Sequence, residues 1–116
     1  MAGRRGDCPP PIACVEVEGQ VVGWVDYDTH RPWLEAGEVN IGYYILADHR
    51  GHGYATRGMR LLLDHLSRAT RYEVATFAIA KKNLSSLGVV RRLGAQPSGM
   101  LGGGPYFKLR FSSPLE

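Results

Sequence analysis

The stretch that decides the fold runs from Glu38 to Ala69: EVNIGYYIL (38–46), ADHRGHGY (47–54) and ATRGMRLLLDHLSRA (55–69). In the first segment Val39, Ile41, Tyr43 and Ile45 fall on one face, and Glu38, Asn40, Gly42, Tyr44 and Leu46 on the other. That two-residue period belongs to a strand. The second segment is rich in glycine and charge, keeps neither regular period and reads as a turn. In the third, Ala55, Met59, Leu62, Leu63 and Leu66 recur at helical spacing, which predicts a helix over 55–69 with one apolar stripe.

Working outward, Ile12 to Val17 and Val21 to Asp28 read as two strands joined at Glu18-Gly19-Gln20, a hairpin by their β-branched and aromatic content. Glu73 to Ala80 (EVATFAIA) is a mostly apolar strand, suited to the middle of a sheet covered on both faces. Asn83 is a good N-cap for a second helix to about Leu93, which Gly94 would close. Turn signals follow at Pro97-Ser98-Gly99 and Gly102-Gly103-Gly104-Pro105, then a last strand from Tyr106 to Phe111. The order β-β-β-α-β-α-β, with a further strand open at the end, is a mixed α/β arrangement around one sheet. The expected domain spans residues 12–113. The preceding residues 1–11 (MAGRRGDCPPP) carry no periodicity and read as a loose leader.

Composition narrows the function classes. The 116 residues fit one domain, and 44% hydrophobic with 22% charged residues is ordinary globular usage. Glycine is enriched, at 15 residues or about 13% against a typical ~7%. Fourteen Lys plus Arg against eleven Asp plus Glu give a formal +3. That balance suits an anionic ligand but falls short of a nucleic-acid footprint. Cys8 and Cys14 lack zinc-site spacing and are expected as free thiols. No apolar run approaches the length of a membrane span and no signal-peptide core is present, so a soluble cytoplasmic protein is expected.

The chemistry concentrates in Arg50-Gly51-His52-Gly53-Tyr54-Ala55 between strand and helix. A glycine-rich turn into a helix N-terminus is a ready anion site, because the first-turn N–H groups lack helical partners and the dipole is positive there. Arg50, Arg57 and Arg60 add charge nearby. The plain alternative is a tight turn with surface arginines. A nucleoside-triphosphate loop would need a Gly-Lys pair, which the chain lacks. A dinucleotide loop would need a glycine where Thr56 stands.

The pattern Arg-x-x-Gly-x-Ala at 50–55 instead resembles the pyrophosphate-binding motif of the GNAT superfamily of N-acetyltransferases. The run from Asn40 to Leu46, followed by Arg50 to Thr56, is similar to its ribosomal-protein N-terminal acetyltransferase branch. So are Asn83, Ser86 three residues later, and Leu93-Gly94 at the end of that helix. The likeness covers roughly residues 14–111. It implies a GNAT-like mixed, mostly antiparallel sheet with two main helices, and acyl transfer from acetyl-coenzyme A (acetyl-CoA) to an amine. By the same resemblance, backbone groups of Tyr44, Ile45 and Leu46 would bind pantetheine where the third strand splays from its neighbour. The N–H groups of Arg50, Gly51, His52, Gly53, Tyr54, Ala55 and Thr56 would hold the pyrophosphate. Asn83 would reach the pantetheine arm, with Lys81, Lys82, Arg91 and Arg92 as candidates for the 3′-phosphate.

Direct transfer needs a neutral amine, a stabilised oxyanion and a proton for the departing thiolate. Where many relatives carry a glutamate base this chain has Asn40, so the expectation shifts to Glu38 on the same strand face, with Asp26 and Asp28 as alternatives. A backbone N–H near Tyr44 or Ile45 would meet the oxyanion. The tyrosine that many relatives use as proton donor is Val90 here, and the ribosomal-protein branch points to Ser86. His49 and His52 read as solvent-facing loop residues rather than metal ligands; Trp24 and Trp33 read as core or rim, with no metal expected. Relatives usually carry another strand and one or two helices ahead of the hairpin. Their absence implies an open site suited to a peptide or protein amine, a homodimer that completes the wall, or a module that binds acyl-CoA without catalysis; the acceptor is expected to be a peptide or protein N-terminus or a small-molecule amine.

Overall fold

The computed structural model describes residues 12–80 and 83–111. The elements in chain order are β1 (Ile12–Val17), β2 (Gln20–Asp28), β3 (Glu38–Ile45), a 3-10 turn (Ala47–His49), α1 (Tyr54–Ala69), β4 (Val74–Ala78), α2 (Leu84–Leu93), β5 (Gln96–Leu101) and β6 (Gly104–Arg110). The expected leader 1–11, Lys81, Lys82 and the last residues of the expected domain lie outside the described residues.

Local sequence accounts for most boundaries. The hairpin between β1 and β2 turns on Glu18 and Gly19, both with positive φ, the twist that suits a two-residue hairpin loop. Helix α1 buries Ala55, Met59, Leu62, Leu63 and Leu66, the stripe its spacing predicts. Helix α2 starts where the Asn83 side chain accepts the Ser86 N–H and ends at Gly94, whose φ of 93° is left-handed.

Six strands form one mixed sheet in the order β1-β2-β3-β4-β6-β5. All neighbours are antiparallel except β3 and β4, which the α1 crossover makes parallel. Residues of both helices, Met59, Leu66 and Val90 among them, share one core cluster with Val39, Ile41, Ala75 and Phe77. Both helices therefore cover the same face of the sheet. Among the described residues no helix lies over the other face.

Two expectations are corrected. Pro97-Ser98-Gly99 is not a turn but part of β5, an edge strand whose register slips between Pro97 and Gly99. An edge tolerates the proline's missing N–H, and Gly99 at φ 124° permits the bulge. Cys14 is disulfide-bonded rather than a free thiol.

Candidate functional site

β3 and β4 pair over three positions only: Glu38 with Val74, Val39 with Ala75 and Asn40 with Thr76. Beyond them β4 continues alongside β6, pairing Phe77 with Phe107 and Ala78 with Tyr106. β3 runs on from Ile41 to Ile45 beside β2 alone. A wedge therefore opens between two central strands, with unladdered backbone along one side. Which groups face it follows from the ladder's alternation. The Leu46 N–H donates to the Val22 carbonyl at 2.8 Å, so Leu46 and, two residues back, Tyr44 turn their backbone toward β2. Tyr43 and Ile45 turn theirs toward the wedge. Of the expected trio Tyr44, Ile45 and Leu46, only Ile45 turns its backbone to the gap, because alternate residues of a strand face opposite neighbours. The Ile45 carbonyl accepts from Arg50 Nε at 2.8 Å, leaving its N–H toward the opening.

The wedge leads to the glycine loop. Gly51 and Gly53 are both left-handed, at φ 84° and 79°, and Gly53 is the N-cap of α1 with no side chain capping it. No acidic residue occupies the helix's first turn. A Cβ built on either glycine meets no protein atom within 4 Å, so the space beside the loop is open. The buried Thr56 hydroxyl in that first turn has no partner among the described residues. Uncapped N–H groups, a positive dipole end, open space and an orphaned hydroxyl together suit an anion such as a pyrophosphate. Arg50 also lies over the Tyr44 ring, 5.2 Å from its centroid. Arg60 is engaged elsewhere, donating to the Arg92 carbonyl at 2.8 Å. The His52 ring pairs with the His49 carbonyl at 3.2 Å and stacks on Tyr54.

On the helix side of the wedge, Tyr43 Oη and Ser86 Oγ lie 2.6 Å apart and join β3 to α2. Ser86 is buried, and its N–H donates to Asn83 Oδ1 at 3.2 Å. The Ser85 hydroxyl donates to the same oxygen at 3.1 Å, which leaves the Asn83 amide NH2 for an outside acceptor. Val90 is fully buried in the core.

The helix-free side is polar. Glu38 is buried, with Lys108 Nζ 2.6 Å from Oε2 and the Glu35 N–H donating to Oε1 at 3.1 Å. The Lys108–Glu38 hydrogen bond is the chief reason the Lys108 ammonium is held above its ordinary value. Next along β3, the Thr76 hydroxyl donates to Asn40 Oδ1 at 2.9 Å. This bridge stands between Glu38 and the apex of the wedge. Burial, foremost, pushes the nearby Tyr106 phenol up. Beyond the bridge come Gly42 and, opposite it on β2, Asp26. Trp24 stacks on Tyr44 at 5.0 Å, and both rings remain exposed at the rim. The buried indole N–H of Trp33 has no partner among the described residues.

A family model for the acetyltransferase (GNAT) domain matches residues 7–96. The chain belongs to the GNAT acetyltransferase family. L-methionine sulfoximine/L-methionine sulfone acetyltransferases of Pseudomonas paraeruginosa and Pseudomonas aeruginosa are each 31% identical to it over 93 residues, covering 79% of this chain and 54% of theirs. The chain thus spans about half the length of the curated relatives it matches. The fold is shared with a ribosomal-protein-alanine N-acetyltransferase from Brucella melitensis, at a TM-score of 0.71 and 22% identity, over 85% of this chain and 67% of that one. It is shared too with yncA of Salmonella typhimurium, whose structure holds its cofactor acetyl-CoA, at a TM-score of 0.69 and 20% identity, over 83% and 61%.

Within this GNAT domain Asn83 caps α2 and Ser86 meets Tyr43 of β3, while Glu38 stands behind the Asn40–Thr76 bridge. Sequence reasoning missed the phenol of Tyr43 as the partner of Ser86. No local pattern links residues 43 positions apart. A tyrosine on the otherwise aliphatic face of β3 is the one signal that could have found it.

Proposed function

We propose that the chain transfers the acetyl group of acetyl-CoA to a primary amine. The observation that carries this reading is the wedge between β3 and β4, which runs into an uncapped, glycine-lined helix N-terminus. The N–H groups of Arg50, Gly51, His52, Gly53, Tyr54, Ala55 and Thr56 hold the pyrophosphate. The backbone of Tyr43 and Ile45 and the Asn83 amide hold the pantetheine, which carries the thioester from the loop toward the apex of the wedge. The amine nitrogen bonds to the acetyl carbon, the carbon–sulfur bond breaks, and the Ile45 N–H meets the oxyanion. Ser86, hydrogen-bonded to Tyr43, gives the leaving sulfur its proton. Glu38 acts as a buried anion that fixes Lys108.

The acceptor is a peptide N-terminus or a small-molecule amine. The curated relatives' named substrates are sulfoximine and sulfone forms of an amino acid, which supports the smaller class. A homodimer is part of the proposal, supported by the two sheet edges, β1 and β5, that no further strand covers among the described residues. Cytoplasmic location belongs to the same proposal. No helix among the described residues is long and apolar enough to cross a membrane. Cys14 is disulfide-bonded, a bond that a reducing cytoplasm would break, and none of the residues assigned above depends on it.

The test is calorimetry with acetyl-CoA on the wild type and on Gly53→Asp. The variant places a charged side chain at a left-handed position inside the cradle and is expected to lose binding altogether. Unchanged affinity overturns the reading. Binding without thiol release on any amine would favour a non-catalytic acyl-CoA module instead.

A further inference from the structure

Three aspartate or glutamate side chains project from β2 and β3 onto the helix-free face: Asp26, Asp28 and Glu38. Two are committed. Asp28 accepts from the His30 N–H at 2.8 Å and pairs with Arg31 Nε at 2.8 Å. Glu38 is held by Lys108 behind the Asn40–Thr76 bridge. The Asp26 carboxylate has no hydrogen bond or ion pair among the described residues.

Its place is set by a missing side chain. Asp26 pairs in register with Gly42, and a Cβ on Gly42 would lie 2.9 Å from Asp26 Oδ1. The carboxylate therefore reaches across β3 over the glycine's bare Cα. Gly42 lies two residues past the last β3–β4 pair. Asp26 thus stands at the apex of the wedge, on the face open to an incoming acceptor, with the Trp24–Tyr44 stack one side-chain step further out.

We infer that Asp26 receives the proton of the acceptor's ammonium group at the apex of the wedge. The inference rests on the acetyl-transfer reading above. The ammonium gives one proton to the carboxylate, which passes it to solvent, and the freed lone pair attacks the acetyl carbon. The carbon–sulfur pair leaves on sulfur with the Ser86 proton, and the second nitrogen proton replaces it on Ser86. The amide, the free thiol and one released proton balance the reaction.

The surroundings suit a base. Burial, foremost, raises the carboxyl above its ordinary range; Arg31 opposes the rise and Asp28 adds to it. From β3, Tyr44 is the titratable neighbour beside Gly42, and the register partner on β1, Ile12, does not titrate. A raised carboxylate binds a proton more strongly, so it is the better acceptor once ionised.

The test compares kcat/KM across pH for the wild type, Asp26→Asn and Gly42→Ala, with acetyl-CoA affinity measured beside it. Asp26→Asn is expected to lose about a hundredfold or more in kcat/KM, to keep its acetyl-CoA affinity and to lack the wild type's acidic limb. Gly42→Ala, whose new methyl displaces the carboxylate without touching its charge, is expected to lose roughly tenfold. Asp26→Asn should also melt no lower than the wild type. With the folded value raised, ionisation of Asp26 weakens the fold as pH climbs through that value, and the amide removes this cost. Wild-type kcat/KM and an unchanged acidic limb in Asp26→Asn overturn the inference while leaving acetyl transfer intact. A wild type that binds acetyl-CoA but acetylates no amine overturns the transfer reading, and this inference with it.

Discussion

The two faces of the sheet are made by the same strands under the same two-residue alternation, yet they are built for different work. On the helix side Val39, Ile41, Phe77 and Phe107 are almost wholly buried against α1 and α2. On the other side the interleaved positions carry Glu38, Asn40, Thr76, Lys108 and Asp26, and aromatic rings left exposed. One face holds the fold together through apolar contact; the other holds charges in fixed places. The wedge between β3 and β4 joins them, so a ligand in it would meet hydroxyls from the packed side and carboxylates from the open side. If this division is right, substitutions on the two faces should separate stability from chemistry.

The sharpest way to break the comparison is at the centre of the packed face. Phe77 is 1% exposed, and Phe77→Ala should cost about 3–5 kcal/mol through lost burial and the cavity left behind. Urea unfolding measures it. A loss below about 1 kcal/mol would mean the helix side is not the core.

The next largest effect lies on the open face. Lys108→Met strands the Glu38 carboxylate, which is only 7% exposed, without its cation. Because the Lys108 side chain is itself 31% exposed, water softens the loss to about 2–3 kcal/mol. The pH dependence has a definite sign. The folded-state Lys108 value lies above the ordinary 10.5, so the pair's contribution is fully present below that pH. It disappears as pH rises through the raised value. In Lys108→Met the high-pH decline in stability should be shallower than in the wild type.

The same division explains what was legible in the sequence. Features fixed by neighbours along the chain stood out: the alternation in β3, the α1 stripe, Asn83 and Gly94 at the ends of α2, and Gly51 and Gly53 in the loop. Each depends on backbone geometry within a turn or two. The open face depends on pairings that sequence spacing does not encode. Lys108 reaches Glu38 across 70 positions, Thr76 meets Asn40 across 36, and Tyr43 finds Ser86 across 43. Glu38 therefore read as a candidate base, whereas sheet order places a lysine over it. Asp26 looked like a minor alternative because the room it occupies is created by Gly42 on a different strand. Pro97-Ser98-Gly99 misled for the opposite reason: its local turn chemistry is real, but an edge strand absorbs it as a bulge.

The smallest effect sharpens the comparison most. Trp24 is the largest side chain on the open face, and a large aromatic would ordinarily be expected to anchor a core. It is 37% exposed, however, and its recorded ring contact is the stack with Tyr44, its register partner on β3. Trp24→Ala should cost only about 0.5–1.5 kcal/mol, the worth of one aromatic pair. That is a fraction of the loss at Phe77, although tryptophan is the larger residue. Both values come from the same urea titrations, so the ratio does not depend on the extrapolation. Equal losses would make the open face a second core and remove the room in which Asp26 is argued to meet an acceptor. A small loss at Trp24, with a large one at Phe77, leaves that face free to bind.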